Sequence, residues 1–472
     1  MNIYDVVIVG AGPVGLATAI GLYKRGITNI LVVDRTRAFR RVGQGLDLLP
    51  NGLKALKYID FDSYEAVKQF GISQPNGNSK KREWAVRNLK GEEFRSSSLQ
   101  YDDWFKIYGE GKKTISWYDL QTTLRNQLPS DLVVANRRCV NLVEESDYVR
   151  IDCLCNAKIE ANPYAYWHEN NTEDEDKDIE VITQSIGAKL VVAADGINST
   201  IRQILYKEDN CSAFAQPEYS GYVAISGSAT EISEDIAEDV ETTFLQGNPI
   251  VTIFNNEIDR DSDAQDRPRI MMFSRDLTFN YLIHLPLPKQ QLNENSGQAL
   301  INLTVEQLEK ADFPVSIQQL VSKSNADSMA KRLYYLHRAT ISDSISFPST
   351  AEINNNNNTE QKEPIWNKGR VVLVGDAAHG MPPFAAQGAN QGLEDAATIS
   401  TLIANLAANN NWDNTEAISE SFLKYEKLRR PMMVKIQEAT LKPFAFLSGE
   451  EREKYNREVY SRNLEKIISS LV

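Results

Sequence analysis

The sequence predicts an α/β fold: a doubly wound parallel sheet, a second, antiparallel β-sheet, and C-terminal helices. Three observations carry this. The opening stretch YDVVIVGAGPVGLATAIGLYKRGITNILVVDR reads strand, glycine turn, helix, strand. Two later apolar runs, AKLVVAADGINSTIR (188–202) and GRVVLVGDAAHGMPPFAAQGANQGLEDA (369–396), each end in Gly and Asp just before a helix start. Between them lie the strand-like runs YSGYVAISGSA, PIVTIFN, RIMMFS and FNYLIHL.

The first unit is justified residue by residue. Residues 5–9 form an apolar strand, and Gly10-Ala11-Gly12-Pro13-Val14-Gly15 follows with G-x-G-x-x-G spacing. An amphipathic helix runs to Gly26, and a second apolar strand ends at Asp34. The motif alone is weak; between a strand and a helix, with an acid at this distance, it is strong. Gly10 permits the tight turn. Gly12 lets the backbone approach a pyrophosphate, and Gly15 lets helix and strand pack closely. The helix start shaped by Pro13 and Val14 offers the free N–H groups of the residues after Pro13 and the positive end of the helix dipole. Asp34 can accept hydrogen bonds from a ribose diol and repels a 2′-phosphate. The unit predicts the ADP moiety of FAD or NAD, not of NADP.

The second run ends in Asp195-Gly196, with a helix start marked by Ser199 and Arg202. The third is an apolar strand over 371–374 that ends in Gly375-Asp376, then a loop with Pro382-Pro383, then a helix start near Gly388-Ala389-Asn390. A single NAD site does not need three such strand ends. A long, extended cofactor does.

Composition narrows the function classes. With 472 residues, two domains or one elaborated domain are expected. A net charge of -13 argues against a nucleic-acid partner. Four cysteines are too few for a disulfide scaffold. Cys153 and Cys155 share one side of a strand-like run without further ligands at metal spacing, so no metal site is expected. The reading is a cytoplasmic protein with no integral membrane segment and no signal peptide. Residues 169–180, 256–269 and 348–364 read as polar surface insertions.

Taken together, the chain resembles the FAD-dependent monooxygenases of the para-hydroxybenzoate hydroxylase type, class A. The resemblance rests on the order and spacing of the opening glycine motif, ADGINSTIR and GDAAHGMPPFAAQGANQGLEDA, with support from RRVGQGLDLLPNGLKALKYI (40–59) and GYVAISG (221–227). It implies a Rossmann-like FAD-binding domain from 1–75, 115–210 and 365–440, a substrate-binding sheet domain from 76–114 and 211–364, and a C-terminal helix over 441–472. It also implies site roles. Asp376 meets the ribityl chain, and the helix start at Gly388, Ala389 and Asn390 faces the pyrimidine edge of the flavin, where reduction places negative charge. Pro383 lies beside the reacting edge. Arg35 follows the ribose acid, and Arg41 sits where the family often has a pyrophosphate contact. Val140 matches a strand whose backbone meets adenine, and Asp195 matches an acid bridging toward pyrophosphate and reductant. In ISWYDLQTTLRNQL (115–128) Trp117 stands where the family usually has an arginine, with Gln121 one turn on as the substitute. Ala385-Ala386 stands where many relatives have a glycine.

The implied reaction is reduction of FAD by NAD(P)H as a transient reductant, addition of dioxygen to give a flavin hydroperoxide, and oxygen transfer to a small aromatic or conjugated substrate by hydroxylation or epoxidation. Another redox enzyme on the same fold (a halogenase, an isoprenoid-type reductase or an oxidase) and a non-catalytic flavin-binding protein stand as alternatives. The six tryptophans are isolated, which disfavours the halogenase motif. In GYVAISG, Tyr222, Ala224 and Ser226 share one strand face. Tyr222 is therefore either a substrate-pocket residue or a core tyrosine. His379 reads as packing, and His168, His284 and His337 as surface or core. The run EEREKYNREVYSRNLEKIISSLV is expected to be helical. Monomer and homodimer are both open.

Overall fold

The computed structural model describes residues 1–36, 45–70, 83–156, 181–207, 214–229, 232–255, 267–275, 278–341, 347, 350–351, 363–441 and 449–472. Arg41, His168, the 169–180 insertion and most of 256–269 and 348–364 lie outside them. Along the chain the strands are β1 (Ile3–Val9), β2 (Ile30–Val33), β3 (Gly45–Leu48), β4 (Glu83–Arg87), β5 (Glu93–Ser98) and β6 (Lys113–Ser116). Then come β7 (Val133–Val134), β8 (Arg138–Glu144), β9 (Val149–Asn156), β10 (Val181–Ala193) and β11 (Glu218–Ala229). The last are β12 (Ile250–Phe254), β13 (Arg269–Arg275), β14 (Thr278–Pro286), β15 (Ala330–Leu336), β16 (Asn367–Lys368) and β17 (Val371–Leu373).

The first sheet has the order β16–β17–β10–β1–β2–β7, and β17, β10, β1, β2 and β7 run parallel. Continuous apolar runs such as Val6–Val9 and Ile30–Val33 suit strands covered on both faces. β10 changes partner along its length. Residues 181–188 pair antiparallel with β9, and Gly187–Ala193 pair with β1. The helices Pro13–Lys24 and Gly388–Ala408 pack together on this sheet, their buried residues part of one core with the strands.

The second sheet has the order β15–β11–β14–β13–β12–β4–β5. It is not purely antiparallel as expected: β12 runs parallel to β4. β4 comes from far earlier in the chain, so no hairpin ties the two. Alternation along β11 sends Val223 and Ile225 into a core shared with the helices Gly297–Lys310 and Val315–Ser322, and Tyr222 and Ala224 to the opposite face.

The C-terminal run, expected as one helix, is two: Gly449–Tyr460 and Leu464–Ser469. Asn463 begins the second by accepting a hydrogen bond from the Lys466 N–H at 3.0 Å. Arg462, in the break, turns inward onto Glu394. Among the described residues no helix is long and apolar enough to cross a membrane.

Candidate functional site

The three Gly/Asp strand ends lie side by side. Val9 is in register with Ala193, and Ala193 with Leu373. The glycine motif, the Asp195 turn and the Gly375-Asp376 turn therefore leave one edge of the sheet together. Two glycines are fixed by contact. Gly10 has φ +109, and a Cβ there would meet the Ala194 carbonyl oxygen at 2.3 Å. A Cβ on Gly15 would lie 1.9 Å from the Gly10 oxygen. Gly12 differs: a Cβ there meets only Trp117 Cζ2, at 3.9 Å. Its surface is an open cradle at the start of the Pro13–Lys24 helix, with Pro13 at the first helical position. Val14 closes the cradle from behind, its Cγ2 3.2 Å from where a Gly375 Cβ would sit.

Around this cradle the expected residues fall as follows. Asp34 accepts from the Ala11 and Thr36 N–H groups, one on each oxygen, both at 2.7 Å. Each oxygen keeps a lone pair for a further donor. Arg35 is exposed beside it. Gln121, buried, donates from Nε2 to the Ala11 carbonyl at 2.7 Å, which pins the glycine loop from below. Trp117 opens the same helix, capped by Ser116, and stands half-buried beside Gly12. Val140 is the extra residue of a bulge between Cys139 and Asn141, so its backbone leaves the β8–β9 ladder. Asp195 is spent locally. Its carboxylate accepts from Ser199 Oγ at 2.6 Å and from the Thr200 and Ile201 N–H groups at 2.7 and 3.2 Å, at the start of the Thr200–Lys207 helix. Burial pushes its pKa up against these bonds.

Asp376 is the opposite case. Its carboxylate is exposed, while Gly375, Ala377 and Ala378 beside it are buried, and it has no hydrogen-bond partner among the described residues. Its Oδ1 lies 3.8 Å from where a Gly388 Cβ would sit, close to the start of the Gly388–Ala408 helix. Burial pushes its pKa up, against the pull of His379 and Arg332. By protein mass the group is deep, and by surface it is open. Pro383 is exposed on the same side, in a single 3-10 turn that Ala386 ends in the left-handed region at φ 52. The Asn390 side chain is fully committed. It accepts from the Leu49 N–H at 2.8 Å and donates to the Asp47 and Ala386 carbonyls at 2.9 and 2.7 Å. Only its backbone remains for a ligand.

Behind the helix start lies a buried ionic network. Arg429 binds Glu394 at 2.5 Å and Asp395 at 2.7 Å. Asp395 Oδ2 meets His379 Nε2 at 2.6 Å and accepts the Gly375 N–H at 2.8 Å. Burial would raise the Asp395 pKa, but the electrostatic pull of His379 and Arg429 wins and holds it at about 2. His379 thus packs behind the site, as read from the sequence.

The second sheet supplies the facing wall. Tyr222, Ala224 and Tyr334 cluster with Phe384 from the Pro383 turn. Phe384 meets Tyr222, His284 and Tyr334 edge-on at centroid distances of 5.1, 5.0 and 5.6 Å. The Arg269 guanidinium lies 3.8 Å above its ring. His284 is therefore a wall of this box, not a bystander. Arg269, the last residue of the run 256–269 expected as a polar surface insertion, is instead the first residue of β13 and lies against this box. Phe384 lies within the PPFAAQG loop, and Tyr334 carries no spacing signal. A separate cavity of about 400 Å³, lined by Tyr4, Leu31, Val134 and Arg137 among others, touches none of these residues.

Comparison with known proteins gives the family and the fold. The family described as "FAD binding domain" matches residues 3–58 and 168–440. A 6-hydroxynicotinate 3-monooxygenase of Pseudomonas fluorescens is 23% identical over 434 residues, covering 92% of this chain and 89% of its own. A 3-amino-4-hydroxybenzoate 2-monooxygenase of Streptomyces cremeus is 25% identical over 442 residues, covering 91% and 84%. A salicylate hydroxylase solved as a substrate complex superposes with a TM-score of 0.65 at 18% identity, over 99% of this chain and 98% of that one.

Proposed function

The chain belongs to the FAD binding domain family and is a class A FAD-dependent monooxygenase; from that premise we propose how its own residues divide the work. One observation carries the reading: three strand ends in register bring the Gly12 cradle, the open Asp376 carboxylate and the Gly388 helix start to one edge, opposite an aromatic wall. The residues fit FAD, because a cradle without side chains suits a pyrophosphate, and a carboxylate with no partner among the described residues suits a polyol.

When bound, FAD supplies the redox chemistry: NAD(P)H is oxidised, dioxygen is reduced, and one oxygen atom goes to the substrate while the other leaves as water. In our assignment Asp34 orients the adenosine ribose and Gly10, Gly12 and Gly15 admit the pyrophosphate, with Pro13 and Val14 shaping the helix start. Gln121 acts through the loop it pins, and Asp195 by holding its turn. Asp376 takes the ribityl hydroxyls. The backbone of Gly388, Ala389 and Asn390 presents N–H groups and a helix dipole to developing negative charge, without a mobile cation. Pro383 and the Phe384 box keep water from the reacting edge. Tyr222 offers a ring for a small aromatic or conjugated substrate. The enzyme is further proposed to work in the cytoplasm as a monomer or homodimer.

The test is isotopic. Purified protein should be yellow and should consume NAD(P)H and dioxygen faster with its substrate present, and the product should carry one atom of ¹⁸O from labelled dioxygen. Product oxygen drawn from water would sink the monooxygenase assignment.

A further inference from the structure

We propose that Cys139 and Cys153 are a redox modification site, which hydrogen peroxide closes into a cross-strand disulfide that loosens the hold on FAD. The bridge stands on the geometry of β8 and β9. Its effect on FAD rests on the assignment of Asp34 to the cofactor, and the peroxide, as the by-product of turnover that misses its substrate, on the monooxygenase reading. The two cysteines are partners in register on adjacent antiparallel strands. Residues so paired point to one face, and both thiols are buried in the core of the first sheet. Cys155, also free and buried, stands two residues further along β9. Residues i and i+2 of a strand lie roughly 6.6 Å apart with parallel side chains, too far for Cβ atoms that a bridge holds at about 3.8 Å. The pairing is therefore 139 with 153.

A buried thiol in apolar surroundings is inert as a rule. Cys153 departs from the rule. The Cys139 thiol hydrogen-bonds to it and Arg137 adds positive charge, so its pKa is lowered against burial and the Asp152 charge. The same bond, burial, and the charges of Cys153 and Asp195 push Cys139 up. Cys153 is thus the thiolate and Cys139 the proton donor. The thiolate attacks one oxygen of hydrogen peroxide and the O–O bond breaks, leaving a sulfenic acid and a hydroxide that takes a proton to become water. The Cys139 sulfur then attacks the Cys153 sulfur. The S–O bond breaks, and the departing hydroxide takes the Cys139 proton as a second water. Two thiols lose two electrons, and one peroxide gains them. Exchange with two molecules of a small thiol such as glutathione reverses the step. Among the described strands β8 pairs with β9 alone, so the cysteines lie at a sheet edge, beside the bulge at Val140 where the ladder is already interrupted.

Opposed Cβ atoms of an antiparallel pair stand about 4.5–5.5 Å apart, and a disulfide draws them in by roughly 1 Å. The chain just before Cys139 carries that movement to the cofactor edge. Asp34 donates its N–H to the Val134 carbonyl at 3.0 Å and accepts the Arg137 N–H on its own carbonyl at 2.7 Å. The Asn136 N–H, between them, donates to the Thr36 carbonyl at 2.8 Å. The Asn136 side chain is meanwhile tied to the end of β9: it donates to the Asn156 carbonyl at 2.9 Å and accepts the Asn156 N–H at 3.0 Å. The turn that seats Asp34 is thus fixed to both strands that the bridge moves. Hydrogen-bond lengths span only about 0.5 Å, so a shift of this size takes the Asp34 carboxylate out of reach of a ribose hydroxyl.

The test uses purified holoenzyme with hydrogen peroxide added directly, then thiol blocking, digestion without reductant and mass spectrometry. One linked peptide pair, 139 with 153, should form with the loss of two hydrogens and disappear with dithiothreitol. Affinity for FAD, read from the fluorescence of released flavin on dilution, should fall about five-fold or more on oxidation, the loss of one ordinary hydrogen bond, and return with dithiothreitol. Cys153→Ala and Cys139→Ala should each abolish both responses, and either serves if the other does not fold. Cys155→Ala should keep both. Linkage through Cys155, oxidation to sulfinic acid without a linkage, or a 139–153 linkage that leaves FAD affinity unchanged overturns the proposal. The measurement needs no turnover. A protein that forms the bridge with added peroxide but consumes no NAD(P)H and dioxygen would overturn the monooxygenase reading and leave the modification site standing.

Discussion

Gly12 and Gly15 belong to one motif and do different jobs. At Gly15 an added methyl would overlap the Gly10 carbonyl oxygen, at 1.9 Å. At Gly12 φ is -71, which alanine adopts freely, and the methyl would enter open space. Gly15→Ala should therefore cost roughly 3 kcal/mol of apoprotein stability. Gly12→Ala should leave the apoprotein Tm nearly unchanged and weaken FAD binding ten-fold or more, read by thermal melts and flavin titration. Asp376 makes the complementary case. Among the described residues its carboxylate has no partner to lose, so Asp376→Ala should fold normally and purify largely without yellow colour. Full flavin occupancy in that variant would remove Asp376 from the site.

The elements that carry these residues are held from behind. The Gly388–Ala408 helix rests on the network of Glu394, Asp395, Arg429 and Arg462, and Asp395 also holds the Gly375 N–H. Asp395→Asn leaves Arg429 under-compensated in a buried place, which should cost about 3 kcal/mol. The pH dependence follows from the sign of the shift. The folded Asp395 pKa, about 2, lies below its unfolded value, near 3.9 in model peptides. Its contribution is complete above the unfolded value and is lost as pH falls toward the folded one. The Tm gap between wild type and Asp395→Asn should accordingly narrow from pH 4 to pH 2; a gap that widens there would contradict the network. The Trp117–Arg125 helix acts similarly on the glycine loop. Gln121 grips the Ala11 carbonyl, whereas Trp117 only borders Gly12. Gln121→Ala should thus weaken FAD binding more than Trp117→Phe does. The reverse order would mean the indole itself packs on the cofactor.

At the scale of the whole molecule, the proposed working space lies where the second sheet meets the Pro383 turn through Phe384. Tyr222 belongs to this junction, where it is buried and packs on the Phe384 ring. Removing its hydroxyl leaves the ring contact with Phe384 intact. Tyr222→Phe should keep flavin content and Tm, and should divert more of the NAD(P)H consumed into hydrogen peroxide, measured as product formed per NAD(P)H oxidised. Unchanged coupling would return Tyr222 to a purely structural place.

By itself the sequence determined each strand–turn–helix unit. Those units are local: apolar periodicity, a glycine turn and an acid within one short stretch define them, and Gly10–Gly15, Asp34 and Gly375-Asp376 stand where that pattern puts them. The alternation of β11 likewise assigned Tyr222 and Ala224 to one face. Only the tertiary structure decided which polar groups are spent and which are free. Asp195, an acid at a strand end like Asp376, is consumed by its own helix start, and the Asn390 side chain is consumed by Asp47 and Leu49, far away in the chain. The box of Arg269, His284, Tyr334 and Phe384 was decided there too. These residues come from separate segments, with no fixed spacing between them. Their meeting depends on the register of strands across a sheet, which pairing fixes once the chain has folded and which no single stretch of sequence records.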